Sequence, residues 1–97
     1  MKNLREQMNE FIEVSAGSAM VADGFDEAFI GVASGFNTEP VAVYDREKVH
    51  DILCEEHGMT SEEAIEFFYY NIIIRGVGAG MDNAPLFLDS FEYKEER

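Results

Sequence analysis

Three residues with metal-binding or nucleophilic side chains share one predicted helix. His50, Cys54 and His57 follow an i, i+4, i+7 spacing, which places them along one helix face at 3.6 residues per turn. Two imidazoles and a thiolate could supply three zinc ligands, with an acidic residue as the fourth. Structural zinc sites, however, usually draw their ligands from separate segments and use more cysteine. The sequence therefore predicts no metal centre, and these three residues are kept only as weak candidates.

Other chemistry has even less support. Asp23, Asp26 and Glu27 surround a turn, and grouped carboxylates could bind a hard cation, but Asp-rich turns are commonly only turns. The glycine-rich run Gly76–Gly80 follows a predicted helix, whereas a phosphate-binding loop follows a strand and opens a helix. Cys54 with a neighbouring histidine would make a nucleophile and base on an open helix without a cleft. We expect no enzyme and no cofactor.

Acidic residues dominate the composition. Twenty Asp and Glu stand against seven Lys and Arg, giving a formal net charge of −13. Such a field repels nucleic acids and anionic membranes and attracts basic protein surfaces. Carboxylates spaced along helices can imitate the phosphates of a duplex, so a nucleic-acid-binding protein is a candidate partner. The predicted partner-binding acidic face consists of Asp45, Glu47, Asp51, Glu55, Glu62, Glu63 and Glu66.

Two acidic helices and a short strand before them form the centre of the predicted fold. Strand 41–44 runs into a helix at 46–57, and Thr60 with Glu63 matches the capping box that opens a second helix at 61–74. Phe67, Tyr69 and Tyr70 are too many large groups for one buried stripe, which predicts that this helix is covered on more than one side.

The remaining elements complete one α+β domain over residues 1–97. Residues 1–14 have the periodicity of an amphipathic helix, 27–34 predicts a strand that forms a hairpin with 41–44, and 86–88 predicts a third strand. The expected order is α-β-β-α-α-β, with a mainly antiparallel sheet, helices packed on it and a frayed tail at 92–97. The predicted core is Leu4, Phe11, Ile30, Val32, Val41, Val43, Val49, Ile52, Leu53, Ile65, Phe68, Ile72 and Phe87.

The sequence also predicts where the protein acts. Cys54 is the single cysteine and cannot form an internal disulfide, and no apolar run approaches the roughly 20 residues that span a bilayer. The first 14 residues lack a secretory signal. A reducing, cytoplasmic setting is the expectation. Because so short a chain buries a small share of its surface, a homo-oligomer is an open alternative.

Four stretches carry a family resemblance: ADGFDEAFIGVA, PVAVYDREKVHDIL, GMTSEEAIEFFYYN and VGAGMDNAPLFL. In order and spacing they resemble a family of small acidic proteins encoded in tailed-phage and prophage genomes. The resemblance covers about residues 22–88 and implies a phage origin and action inside a bacterial cell. That family has no assigned activity, so no residue role is carried over. The longer N-terminal helix and the longer glycine-rich loop before Pro85 depart from its pattern.

The expected function is that of a non-enzymatic phage-type accessory protein. It would bind a host protein with a basic surface through the acidic face, as a nucleic-acid mimic that inhibits a host defence or nucleic-acid-binding protein. The first alternative is a self-associating structural or assembly protein whose acidity serves only solubility. The second alternative is a small metal-dependent enzyme that uses the Cys54 and histidine cluster or the Asp23 and Asp26 carboxylates.

Overall fold

The computed structural model describes residues 1–17, 19–36, 39–74 and 83–95. These residues form an α+β fold, as predicted. The elements in chain order are helix α1 (Leu4–Ala16), a 3₁₀ turn (Asp26–Ala28), strands β1 (Phe29–Ala33) and β2 (Val41–Asp45), helices α2 (Arg46–Glu56) and α3 (Ser61–Phe67), a π-helix (Phe68–Ile74) and strand β3 (Leu86–Leu88). The predicted glycine-rich loop at Gly76–Gly80 lies outside the described residues.

The three strands form one mixed sheet in the order β1-β2-β3. The predicted hairpin is confirmed, because β1 and β2 pair antiparallel from Phe29↔Tyr44 to Ala33↔Val41. Strand β3 joins the other edge of β2 in parallel, with Phe87 opposite Tyr44. The central strand is therefore β2, and its last residue, Asp45, leads directly into α2.

A β-bulge in β1 interrupts the regular alternation of that strand. Phe29 pairs with Tyr44 and Gly31 pairs with Val43, so Ile30 is an extra residue without a partner of its own. Gly31 has a φ of 152° at this point, a conformation that favours glycine. Ile30 was predicted in the core and is instead 53% exposed, because the bulge takes it out of the regular two-residue repeat.

The core is built around Tyr44, whose side chain is fully buried. Its ring packs between Phe29 on β1, with ring centroids 5.6 Å apart, and Phe87 on β3, at 5.8 Å. Phe11 of α1 extends this row beyond Phe29, and Phe68 extends it beyond Phe87. Helix α2 adds its predicted stripe to the same core: Val49, Ile52 and Leu53.

Helix α1 buries only part of its apolar face. Its buried residues are Met8, Ile12 and Ala16, spaced i, i+4, i+8. Leu4 and Phe11, both predicted in the core, are about half exposed. Arg5 lies on the same side as Met8 and Ile12 by the 3.6-residue period, and its ion pairs fix that side toward the rest of the chain.

The predicted single helix at 61–74 is two segments of different winding. Thr60 and Glu63 form the predicted capping box, and the α-helical part ends at Phe67 before the π-helix begins. Ala64 and Phe68 are buried, but Ile65 is exposed, against its prediction as a core residue. Tyr69 and Tyr70 are also exposed, so the expected second covering of this helix is wrong for them.

Candidate functional site

The acidic face begins where β2 becomes α2. The Asp45 carboxylate accepts a hydrogen bond from the Glu47 backbone N–H at 3.1 Å, which caps the first turn of the helix. Asp45 is half-buried and Glu47 is exposed. Asp45 therefore has a structural task, while Glu47 extends its carboxylate into solvent.

The outer side of α2 carries a line of three carboxylates. Glu47, Asp51 and Glu55 are spaced i, i+4, i+8 and are all exposed, whereas the inner side of the helix is buried. At 3.6 residues per turn this spacing places the three acids along one ridge. Because the apolar side of α2 is buried in the core, the ridge of acids faces solvent.

Helix α3 contributes two further exposed acids and one capping acid. Glu62 and Glu66 lie four residues apart and are exposed, on the side of α3 away from buried Ala64. Glu63 turns back on its own helix: its carboxylate accepts from the Thr60 N–H at 2.9 Å, while the Glu63 N–H donates to the Thr60 hydroxyl. The bond from the Thr60 N–H lowers the pKa of Glu63 below its ordinary value.

None of these seven acids takes part in an ion pair within the described residues. The four ion pairs found there join Lys2 to Glu10, Arg5 to Asp23 and to Asp26, and Arg46 to Asp89. In those parts of the chain Lys2, Arg5 and Arg46 pair with other carboxylates. The outer carboxylates of α2 and α3 thus keep their charge available to an external cation.

The histidine and cysteine candidates are brought together only in part. His50 Nε2 lies 3.6 Å from Cys54 Sγ and 3.2 Å from the hydroxyl oxygen of Ser61. His57 lies exposed after the end of α2, and no group of three His, Cys, Asp or Glu side chains among the described residues could hold a metal ion. What His50 does here is connect α2 to the first residue of α3.

The carboxylates of the 22–28 turn are neutralised by α1. The Arg5 guanidinium donates to both oxygens of Asp26 at 2.8 Å and to Asp23 at 3.0 Å. The hydrogen bond to Asp26 raises the pKa of Arg5. Glu27, the third member of the predicted group, is exposed and outside this set of contacts. The Arg5 guanidinium therefore supplies the positive charge beside the carboxylates that could have bound a hard cation.

Tyr44 of β2 holds the same turn through a hydrogen bond to its backbone. The Ala22 N–H donates to the Tyr44 hydroxyl at 2.8 Å, a buried hydrogen bond. Burial raises the pKa of Tyr44 above its ordinary value of 10.0. Since Arg5 binds this turn from α1 and Tyr44 binds it from the sheet, its acids are part of the fold.

A groove that the sequence did not reveal lies between the π-helix and β3. It has a volume of about 710 Å³, and Phe68, Ile72, Ile73, Leu86 and Phe87 are among the residues that line it. The Arg46 guanidinium lies above the Phe68 ring at 5.3 Å and binds Asp89 at 2.9 Å at the same place. In the sequence, the number of large side chains at Phe67, Tyr69 and Tyr70 was the one indication that this part of the surface is unusual.

A second, smaller cavity adjoins this groove on α3. It has a volume of about 340 Å³ and is lined by Met59, Glu63, Glu66, Phe67, Tyr70 and Asn71. Phe67 and Asn71 also line the larger cavity. The two cavities therefore lie side by side along one helix, with carboxylates beside the smaller one and mostly apolar groups around the larger one.

Comparisons with known proteins add no assignment. No family profile, curated protein or solved structure matches this chain. The resemblance to the phage and prophage family stays a prediction. Within the described ranges, no helix is long and apolar enough to cross a membrane.

Proposed function

We propose that this protein is a non-enzymatic binding module that engages a basic surface of another protein through the outer carboxylates of α2 and α3. One observation carries the proposal: these acids are exposed, and none has an ion pair in the described residues. A chain of −13 net charge attracts a basic partner from a distance and increases the association rate.

A partner that normally binds nucleic acid fits this chemistry best. Its basic channel is shaped for regularly spaced phosphates, and Glu47, Asp51 and Glu55 along α2, with Glu62 and Glu66 on α3, offer regularly spaced carboxylates. By the resemblance described above, the setting is a bacterial cell that carries a phage or prophage, and the partner is a host defence or nucleic-acid-binding protein. The protein would act by occupying the channel.

The test compares two variants of equal charge. The face variant carries Glu47→Gln, Asp51→Asn, Glu55→Gln, Glu62→Gln and Glu66→Gln; the control carries Glu6→Gln, Glu13→Gln, Glu27→Gln, Glu92→Gln and Glu95→Gln. Each changes the formal net charge from −13 to −8. Bacterial lysate is passed over each immobilised protein at about 50 mM and about 500 mM salt, where the Debye length falls severalfold, and retained proteins are identified by mass spectrometry.

The proposal expects the unaltered chain to retain a nucleic-acid-binding or defence protein at low salt and to release it at high salt. The face variant should lose that protein and the control should keep it. Equal loss in both variants would mean that net charge alone acts, without a defined face. Equal retention in both would exclude the face as the binding surface.

Self-association is the second candidate, and a different surface favours it. Leu4, Phe11 and Val14 follow an i, i+7, i+10 spacing on one flank of α1, and Val14 is 88% exposed. An apolar flank of this kind could cover a second copy of the chain. Sedimentation at increasing protein concentration tests it: a homodimer unaffected by salt and lost in Val14→Ser would favour this reading over the acidic face.

A further inference from the structure

The two cavities beside α3 adjoin each other at shared lining residues, and together we call them the α3 groove, which has two chemical halves. The apolar half lies between the π-helix and β3, and the acidic half lies beside Glu63 and Glu66. Phe67 and Asn71 belong to both halves. A ligand that fills the groove therefore meets an apolar wall and a carboxylate within one short stretch.

The π-helix builds the apolar half. Its i→i+5 hydrogen bonds wind it differently from an α-helix, and Phe68, Ile72 and Ile73 all line this half. In an α-helix Phe68 and Ile73 would be about 140° apart around the axis, a wider separation than the π winding gives. Short π-helical segments are frequent at functional sites. The unusual winding thus has a specific result here, which is an apolar wall facing β3.

Some of the charged side chains around the groove have partners in the described residues, and others do not. In the apolar half, Arg46 pairs with Asp89, and Asp23 pairs with Arg5. One oxygen of Glu63 is held by the Thr60 N–H. Glu66 is exposed and, within the described residues, has no ion pair. The electrostatic complement of this groove is a large apolar side chain that is followed closely by a positive charge.

We propose that the α3 groove binds a segment of the partner protein in which one or two large apolar side chains stand next to lysine or arginine. The apolar side chains enter the half beside Phe87, and the basic group lies near Glu66. This inference rests on the proposed function, because it names the part of the basic partner that the acidic helices would engage. It adds a sequence requirement that charge attraction alone does not impose.

Three synthetic octapeptides serve as probes, each acetylated and amidated: GKKFLKKG, GKKGGKKG and GSSFLSSG. Each is titrated into the isotope-labelled full chain while amide chemical shifts are followed by NMR. The mixed peptide should bind at least about tenfold tighter than either of the others. The largest shifts should fall at Phe67, Asn71 and Ile72.

Two matched pairs of variants locate the binding. Leu86 and Leu88 lie on the same strand and are 53% and 46% exposed, but Leu88 is not among the residues that line the groove. Leu86→Ser should weaken binding of the mixed peptide about fivefold through lost apolar burial, and Leu88→Ser should leave it unchanged. Glu66→Gln should also weaken it, about threefold, whereas Glu13→Gln on α1 should not.

Each contrary result has a distinct meaning. Equal binding of GKKFLKKG and GKKGGKKG, insensitive to Leu86→Ser, would overturn the groove while leaving the attraction of a basic partner intact. Equal binding of GSSFLSSG would overturn the requirement for a basic group. Absence of peptide binding, with self-association that Leu86→Ser weakens, would show that a second copy occupies the groove. The lysate experiment is kept separate from all three by repeating it with only Glu47→Gln, Asp51→Asn and Glu55→Gln, because these acids do not line the groove.

Discussion

Two groups of carboxylates in this chain lie in opposite surroundings. In the 22–28 turn, Asp23 and Asp26 are held by Arg5, and the backbone N–H of Ala22, just before them, is bound by Tyr44. On the outer side of α2 and α3, the acids project into solvent without an ion pair in the described residues. The first group fixes the position of α1. The second group could be replaced by other polar residues with little effect on the fold.

The difference shows how a very acidic chain separates structural from available charge. It has seven bases for twenty acids, so most acids cannot be paired. Arg5 and Arg46 each join segments far apart in sequence, α1 to the 22–28 turn and α2 to Asp89. Each of these two arginines therefore makes a tertiary contact. The outer acids of α2 and α3 have no ion pair within the described residues, so their charge is available to a group outside the chain.

The largest effect should come from breaking the connection between the turn and the sheet. Tyr44→Phe keeps the aromatic row but removes the hydroxyl that accepts from the buried Ala22 N–H. A buried donor without a partner costs about 1–3 kcal/mol, so we expect the free energy of unfolding in urea to fall by that amount. Tyr93→Phe, at a tyrosine that is 76% exposed, is the control and should change stability by less than about 0.5 kcal/mol.

The same variant has a pH signature. Because burial raises the pKa of Tyr44, the folded protein holds the phenol proton more tightly than the unfolded chain does. This contribution to stability is complete below the ordinary value of 10.0 and is lost as the pH rises from there through the raised pKa. Tyr44→Phe should remove that alkaline loss. An unchanged stability, with the alkaline loss intact, would contradict the role given to the Tyr44 hydroxyl.

A smaller effect should come from Arg5, and it sharpens the contrast between the two acidic groups. Arg5→Gln leaves Asp23 and Asp26 without their base; because the Arg5 side chain is 34% exposed, we expect a loss of only about 1 kcal/mol. The five substitutions of the face variant should change stability by less than about 0.5 kcal/mol. Urea unfolding of both proteins makes the comparison.

The double variant Arg5→Gln with Asp26→Asn is the control for this pair. Its loss should be smaller than the sum of the two single losses, because one interaction is removed only once. If the face variant were instead the more destabilised of the two, the outer acids would be structural. The division between the two groups would then be wrong.

Local signals in the sequence were enough to predict much of this fold. The capping box of Thr60 and Glu63 occurs as predicted. Asp45, the residue before α2, caps that helix, and Gly58 follows it with a φ of 68°. The hairpin could be predicted from two short apolar runs separated by a loop. Each of these features depends on residues within a few positions of one another, which is why the pattern was sufficient.

Features that depend on distant contacts could not be predicted in this way. Arg5 of α1 pairs with Asp23 and Asp26 of the 22–28 turn, and nothing near Arg5 in sequence indicates these partners. The bulge at Ile30 depends on the register with β2. The groove requires β3 to lie beside the π-helix, and a 3.6-residue repeat cannot reveal the π winding. The acidic ridge of α2 could be predicted because only its own helical period matters.

The smallest effect concerns Glu63, which has features of both groups. Its carboxylate is used by the fold, as in the turn, yet it lies exposed on α3 beside the free acids. Since its pKa is lowered by the bond from the Thr60 N–H, the charged form stabilises the folded state. That contribution is present above the ordinary glutamate value of 4.5 and is lost as the pH falls through the lowered pKa.

Glu63→Gln separates the two roles, because an amide oxygen can still accept from the Thr60 N–H but carries no charge. The unaltered chain should be slightly more stable than Glu63→Gln at neutral pH. The gap should close as the pH drops from 4.5 through the NMR titration midpoint of the Glu63 carboxyl carbon. A midpoint at or above 4.5 would mean that the cap does not hold the carboxylate in solution. Glu63 would then belong with Glu62 and Glu66, and the available acidic surface on α3 would include one more charge.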